Sequence, residues 1–179
     1  AGIVRLELSR ELDRVVLATT TRPLGPTRTS WSAITWPEPH RGPDAFSGAK
    51  RSHVPLYERA RAGATEAAVD EAILLDAAGR IVEGARSNLI ALSGDDVLRT
   101  PPLSRGAVAG VALAILRTIV PELREEDVPR AMLANARELI AVNAVRGAVA
   151  IVSLDGLAIG DGRPGPVSAR LAGLLDAEA

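Results

Sequence analysis

The chain opens with two stretches whose polar and apolar residues follow the pattern of β-strands. Residues 3–8 (IVRLEL) alternate apolar and charged side chains, and residues 15–21 (VVLATTT) are rich in β-branched side chains, with the turn-forming ELDR between them. This pattern predicts a hairpin over residues 3–21. Alternation returns at residues 31–36 (WSAITW), which predicts a third strand.

Prolines and glycines dominate the next segment, residues 37–48 (PEPHRGPDAFSG). Proline lacks an amide donor and glycine favours turns, so this composition predicts irregular chain rather than a helix or a strand. We therefore predict an interdomain linker over residues 37–49. One unit precedes it at residues 1–36, and another follows it at residues 50–179.

After the linker, helix-like and strand-like patterns alternate, separated by turn signals. Helices are predicted at residues 54–62, 106–120, 129–136 and 167–177. Strands are predicted at residues 71–76, 80–85, 88–92, 96–100, 138–145 and 148–154. Short turns join most of these strands, so neighbouring strands are expected to pair antiparallel. The sequence thus predicts an α+β fold in which a mixed, largely antiparallel sheet packs against helices.

Composition narrows the class of protein. With 47% hydrophobic residues and a formal net charge of -1, the chain resembles neither a disordered segment nor a basic nucleic-acid-binding surface. No apolar run reaches the length of a membrane span and no signal segment opens the chain, so we expect a cytoplasmic protein that binds neither nucleic acid nor membrane. Zero cysteine excludes disulfides, and two histidines are too few for a zinc site, so we expect no metal.

Lys50 is the single lysine of the chain, whereas twenty residues are arginine. Arginine can replace lysine as a solvated surface cation, but it cannot replace lysine in Schiff-base chemistry. An ammonium group loses its proton when it is desolvated and then attacks a carbonyl, whereas a guanidinium group stays protonated. Lys50 is therefore a candidate imine-forming residue. A surface lysine left by compositional drift explains the count equally well.

Two further features are candidates for a cofactor site. Glu83 lies in a predicted strand, where an inward carboxylate needs a cationic partner such as a protonated ring nitrogen; a solvent-facing glutamate is the simpler interpretation. Gly106 and Gly110 stand at the start of a predicted apolar helix, whose free N–H groups and dipole favour a phosphate. Close packing of this helix on a sheet explains the glycines equally well.

Together the motifs resemble those of the fold-type IV pyridoxal-phosphate enzymes, the class IV aminotransferase and aminodeoxychorismate lyase family. The resemblance covers residues 48–172. It rests on Lys50 after the linker, followed in the family's order by DEAILLDAAGRIVEGARSNLIAL, LRTPPLSRGAVAGV, ELIAVNAVRGAVAIVSLDG and IGDGRPGPVSARL. It implies that residues 50–179 are the large cofactor-binding domain of a D-amino-acid-aminotransferase-like fold. Residues 1–36 would then be the last strands of a small N-terminal domain, most of which this chain lacks.

The resemblance also implies a site for pyridoxal 5′-phosphate. Lys50 would form the Schiff base with the cofactor and move protons during catalysis, and Glu83 would keep the ring nitrogen protonated. The phosphate would bind a helix start and a turn, formed by Gly110, Val111 and Ala112 and by Asn143 and Ala144. The chain departs from the family at Ala112 and Leu113, where a hydroxyl residue followed by arginine is common, so one phosphate contact is expected to be missing.

The implied activity is that of a lyase or aminotransferase acting on a primary amine or amino acid, either aminodeoxychorismate lyase-like or class IV aminotransferase. The Asn-Ala pair followed by RG in residues 143–147 leans slightly toward the lyase. The alternatives are a branched-chain or D-amino-acid aminotransferase and, from another class, a catalytically silent scaffold or partner subunit. Because the resembled enzymes pair to close their pockets, a homodimer is expected.

Overall fold

The computed structural model describes residues 2–26, 28–133 and 135–178. In these residues the helices are α1 (Pro55–Glu66), α2 (Val111–Ile119), α3 (Arg130–Leu133) and α4 (Pro166–Ala177). The strands are β1 (Gly2–Glu11), β2 (Arg14–Pro23), β3 (Ser30–Thr35), β4 (Glu71–Leu75), β5 (Ile81–Gly84), β6 (Asn88–Leu92), β7 (Leu98–Thr100), β8 (Arg124–Glu125), β9 (Glu138–Asn143), β10 (Gly147–Leu154) and β11 (Leu157–Ala158).

Strands β1 and β2 form a separate two-stranded antiparallel sheet, which confirms the predicted hairpin. One face of this hairpin is apolar and exposed, and it carries Val4, Leu6, Leu8, Val15 and Leu17. The other face lies against the segment that follows Lys50. There Arg5 donates to the Ser52 hydroxyl at 3.0 Å, and Ser52 donates to Glu7 at 2.5 Å.

The other strands form one mixed sheet in the order β5-β4-β3-β10-β9-β6-β7-β8, with β11 paired to β10. The pairs β4/β5, β6/β7 and β9/β10 are antiparallel, as their short connections predict. Strand β3 runs parallel to both of its neighbours, and β8 runs parallel to β7. The predicted α+β class with a mixed, largely antiparallel sheet is therefore confirmed.

Strand β3 belongs to this large sheet, between β4 and β10, and not with the hairpin. Its side chains Trp31 and Ala33 are buried in the core. The sequence-based division grouped this strand into residues 1–36 because the Pro- and Gly-rich run follows it. That run marks irregular chain, whereas strand pairing separates β2 from β3. Ala1 and Thr27 of that predicted unit lie outside the described residues.

The sheet curls until its two edges meet. The Ile81 amide of β5 donates to the Val128 carbonyl at 2.8 Å, just after β8, and Arg80 and Pro129 form a bridge beside this bond. Inside the curl lies one apolar cluster, which includes Ile73, Leu89, Leu139 and Ile151. Helices α2 and α4 cover the outer face of the sheet through a second cluster, which includes Ile90, Leu113, Leu116, Ile140 and Leu171.

The observed helices differ from the predicted ones at their ends. Helix α2 begins at Val111 and not at Gly106, because Gly106 is left-handed (φ +99) and the chain is still extended at Gly110. Helix α3 is a single turn, and Ala134, within the longer helix predicted there, lies outside the described residues, as does Ala179 at the end of the predicted large domain. Helix α4 matches its prediction closely.

Helix α1 continues through Gly63, which the sequence analysis placed beyond its end. Gly63 faces the Trp36 ring so closely that an added Cβ would overlap it. Gly63→Ala is therefore expected to lower the free energy of unfolding by about 1–3 kcal/mol through overpacking, although alanine is the better helix former. Denaturant unfolding measures this change.

Gly173 in helix α4 is the matched control for Gly63, because a Cβ added there meets no atom within 4 Å. Gly173→Ala is expected to raise the free energy of unfolding by about 0.5–1 kcal/mol through helix propensity alone. A Gly63→Ala variant that gained stability as Gly173→Ala does would contradict the packing argument.

Candidate active site

Glu83 is the central carboxylate of the candidate site. It lies on β5 and is only 2% exposed. The Tyr57 hydroxyl donates to Glu83 Oε1 at 2.5 Å, and the Val108 amide donates to both carboxylate oxygens at 3.1 Å. The Asn88 side-chain amide donates to Glu83 Oε2 at 3.4 Å. Hydrogen bonds from these uncharged groups therefore orient a buried acid.

Burial is the main influence on the acidity of Glu83 and raises its pKa to about 7. The hydrogen bonds from Tyr57 and Val108 act in the opposite direction and favour the ionised form, as does the positive charge of Lys50. The neighbouring carboxyl of Glu71 raises the pKa of Glu83 slightly further. A cation placed against Glu83 would offset the desolvation that burial causes.

The segment just before Lys50 pairs with the segment that leads into α2, and the charge of Lys50 favours the ionised form of Glu83. Gly48 and Val108 form a parallel bridge, in which the Gly48 amide donates to Ala107 O at 3.1 Å and the Ala109 amide donates to Gly48 O at 2.9 Å. Lys50 follows two residues later, and its side chain is exposed. The amine is thus open to a ligand, while its charge still reaches the buried carboxylate.

The start of α2 is fixed to the same carboxylate through Asn88. The Asn88 amide donates to Val108 O at 2.8 Å as well as to Glu83. Gly110 lies directly against Asn88, where an added Cβ would overlap the side-chain oxygen. Glycine is therefore required for this close approach. The amides of Val111 and Ala112 follow in the first helical turn, where N–H groups have no intrahelical acceptor.

Asn143 ends β9 and Ala144 begins the β9–β10 turn, at the same end of the sheet as Asn88. Strand β9 is next to β6, and Val142 is opposite Asn88 in the register. The Asn143 side chain accepts from the amides of Val145 and Arg146, each at 2.9 Å. The Asn143 side-chain oxygen is therefore occupied in stabilising the turn. An anion at this turn would bind to backbone groups instead.

Two residues of the site, Tyr57 and His40, were not assigned to it from the sequence. Tyr57 lies seven residues after Lys50, and His40 lies in the linker. A signal for Tyr57 exists in helix α1, since Tyr57 is spaced three and seven residues from Ala60 and Ala64, which are buried, and so shares their inward face. The linker of His40 carries no periodic pattern, so no comparable signal exists for it.

Among the described residues, no helix is long and apolar enough to cross a membrane. Over the same residues, His, Asp and Glu side chains form no group of three or more arranged to hold a metal ion.

The family model for Amino-transferase class IV matches residues 1–154. The chain therefore belongs to the class IV aminotransferase family, whose members use pyridoxal phosphate.

Individual relatives agree with this membership. The branched-chain-amino-acid aminotransferase of Escherichia coli (strain K12) is 34% identical over 105 residues, which is 56% of this chain and 34% of that protein. The match spans about a third of the length of that curated relative.

Solved structures match over nearly the whole chain. A protein from Legionella pneumophila, solved as a 4-amino-4-deoxychorismate lyase, has a TM-score of 0.84 and 18% identity, and the match covers 96% of this chain and 66% of that one. The PLP-bound form of a hypothetical aminotransferase from Mycobacterium tuberculosis has a TM-score of 0.81 and 22% identity, with 98% and 67% covered. At these identities the likeness concerns the fold.

Proposed function

We propose that the protein is a pyridoxal-phosphate-dependent enzyme that acts on a primary amine, either as a lyase or as an aminotransferase. One observation carries this proposal. The single lysine of the chain and a buried glutamate with uncharged hydrogen-bond partners belong to one site, joined by the Gly48–Val108 bridge. An exposed amine and a buried carboxylate are the two groups that would bind the aldehyde and the ring nitrogen of this cofactor.

The residues present fit pyridoxal phosphate. Glu83 is a desolvated acid that a protonated ring nitrogen would stabilise, which suits the charge of the bound ring. Lys50 would hold the aldehyde carbon. The phosphate would bind at the helix start and at the β9–β10 turn, through Gly110, Val111 and Ala112 and through the backbone of Asn143 and Ala144. Helix N-termini favour such anions.

When bound, pyridoxal phosphate supplies an electron sink for the pair of electrons released at the substrate Cα. Glu83 would keep the ring nitrogen protonated through its negative charge and would so maintain that sink. Lys50 would hold the cofactor aldehyde and, as a neutral amine, would be the base that accepts the substrate Cα proton and returns it in a transamination.

Product analysis distinguishes the proposed reactions. With pyridoxal phosphate present, a lyase acting on aminodeoxychorismate releases pyruvate, whereas a branched-chain aminotransferase converts 2-oxoglutarate to glutamate at the expense of a branched-chain amino acid. The lean toward the lyase rests on residues 143–147, and the E. coli relative favours the aminotransferase. Cofactor-dependent product of either kind supports the proposal. A protein that forms neither product and binds no cofactor is the silent scaffold.

The proposal includes a cytoplasmic homodimer. The exposed apolar face of the β1–β2 hairpin supports an association that covers it. Analytical ultracentrifugation tests this part, and sedimentation at the mass of one chain under assay conditions, with activity retained, would contradict it.

A further inference from the structure

His40, Tyr57 and Glu83 form one continuous chain of hydrogen bonds from the linker to the candidate active site. The Tyr57 hydroxyl donates to Glu83 Oε1 at 2.5 Å, and His40 Nε2 lies 3.2 Å from the Tyr57 oxygen. At the far end, the Gly42 amide donates to His40 Nδ1 at 3.1 Å. Three segments distant in sequence thus meet at one carboxylate.

The direction of every bond in this chain is set by its first donor. A backbone amide only donates, so His40 Nδ1 must accept from Gly42, and the ring proton is then on Nε2. This proton points to the Tyr57 oxygen, which leaves the phenol hydrogen for Glu83. Burial lowers the pKa of His40, which favours the neutral ring that this arrangement requires.

Close packing holds the His40 and Tyr57 side chains of this hydrogen-bond chain in place. The His40 amide donates to Leu75 O at 2.7 Å, and the His40 and Tyr57 rings meet edge to face with centroids 6.1 Å apart. Gly106 presses on the other side of His40, since a Cβ there would lie 2.9 Å from the imidazole and 2.8 Å from Gly42. Neither ring can turn away without moving a neighbouring segment.

We propose that Tyr57 and His40 are positioning residues that hold the Glu83 carboxylate in one orientation and in its ionised state for the ring nitrogen of the cofactor. This inference rests on the proposed function for the identity of the cofactor. The hydrogen-bond chain itself is a property of the cofactor-free protein, so it is tested there first.

Several charged groups surround the three hydrogen-bonded residues, and the test must leave these groups unchanged. They are Lys50 and Glu71 around Glu83, Arg51 and Asp44 around Tyr57, and Asp44 and Asp76 around His40. Tyr57→Phe removes a single hydroxyl and leaves all of these groups in place. It is therefore the most specific variant for the test.

The experiment follows the ¹³C carboxyl signal of Glu83 with pH in the cofactor-free protein. The wild type is expected to titrate near pH 7. Tyr57→Phe is expected to raise the midpoint by about one pH unit, because a hydrogen bond to the charged form is lost. His40→Gln is expected to give a smaller rise. His53→Gln changes the other, exposed histidine and is expected to leave the midpoint unchanged. An unchanged midpoint in Tyr57→Phe would overturn the proposal.

A second measurement needs no change at Tyr57. Because Tyr57 is the only tyrosine of the chain, alkaline absorbance reports its ionisation alone. Burial raises the pKa of Tyr57, and the charge of Glu83 and the hydrogen bond to it raise it further. Glu83→Gln is thus expected to let Tyr57 ionise at lower pH than in the wild type. Identical alkaline titrations would show that the two groups are not coupled.

Cofactor binding separates this inference from the proposed function. At pH 7, Tyr57→Phe is expected to bind pyridoxal phosphate about fivefold more weakly, since less of Glu83 is ionised, and the difference is expected to vanish by pH 9. If no variant binds the cofactor but the Glu83 midpoint still shifts, the hydrogen-bond chain stands and the proposed function fails. If wild type and Tyr57→Phe bind it equally and titrate alike, the proposed function stands and this inference fails.

Discussion

Treating the protein with pyridoxal phosphate and then with borohydride is expected to attach the cofactor irreversibly to Lys50. Borohydride reduces an imine to a stable amine, so intact mass reports one adduct and peptide mapping locates it. The site of attachment is simple to assign, because Lys50 is the only lysine of the chain and the α-amino group is the other primary amine. Lys50→Ala is expected to lose the adduct at this position and all turnover, since proton transfer alone contributes about 10²–10⁴-fold.

Lys50→Arg is the matched variant, because it keeps the positive charge that favours ionisation of Glu83 but cannot form an imine. It is also expected to lose the adduct. Both variants are expected to unfold within about 0.5 kcal/mol of the wild type, because the side chain is exposed and its removal opens no cavity. A full adduct in Lys50→Arg would place the attachment elsewhere and refute the assignment.

Local sequence patterns predicted the hairpins well, but they did not predict how the strands are arranged. Alternation in residues 31–36 marks β3 as a strand. It contains no information that β3 lies between β4 and β10, because those partners are about 40 and 120 residues away in the chain. The Pro- and Gly-rich run therefore places the predicted boundary after β3, and the pairing of β3 with β4 and β10 is seen in the structure alone.

Helix ends show the same limit for glycine. From sequence alone, Gly63 is typical of a helix end, yet α1 continues through it. The structure explains this glycine differently, because the Trp36 ring occupies the space that a side chain at residue 63 would need. The sequence pattern predicts Gly106 as part of a helix, yet its backbone conformation is left-handed and it packs against His40. In both cases a tertiary contact decides the role of the glycine, and single-sequence reasoning does not contain that contact.

Lys50 and Glu83 were the site residues that sequence reasoning singled out by chemistry, and the family resemblance paired them. The structure adds their surroundings. The contacts from Tyr57 and His40 join residues 26 and 17 positions apart, across a helix and an irregular segment. No spacing rule connects such positions, so these two residues became visible through geometry alone.

With saturating cofactor, Glu83→Gln is expected to reduce kcat by orders of magnitude while changing the KM for the substrate much less. Glutamine keeps the shape of the side chain, but without a negative charge it does not hold a proton on the ring nitrogen, so electrons released at Cα are stabilised poorly. Glu71→Gln is the matched control, because Glu71 is also buried but its carboxylate accepts from the Ser87 hydroxyl and the Ala72 amide instead of from Tyr57 and Val108. Steady-state kinetics with the same substrate compare the two, and an equal loss in both would point to general damage.

The same substitution has a second signature in the stability of the cofactor-free protein. The pKa of Glu83 is about 7 when folded, against 4.5 as the reference. Between these values the unfolded chain has released the proton that the folded protein retains, so the free energy of unfolding falls as pH rises, by roughly 3 kcal/mol. Glu83→Gln is expected to lack this fall, whereas the contributions of Glu71, with the same sign, and His40, with the opposite sign, persist in both proteins. Urea unfolding at pH 5 and pH 8 measures the difference, and identical pH dependence in both proteins would show that Glu83 is not the buried acid of the site.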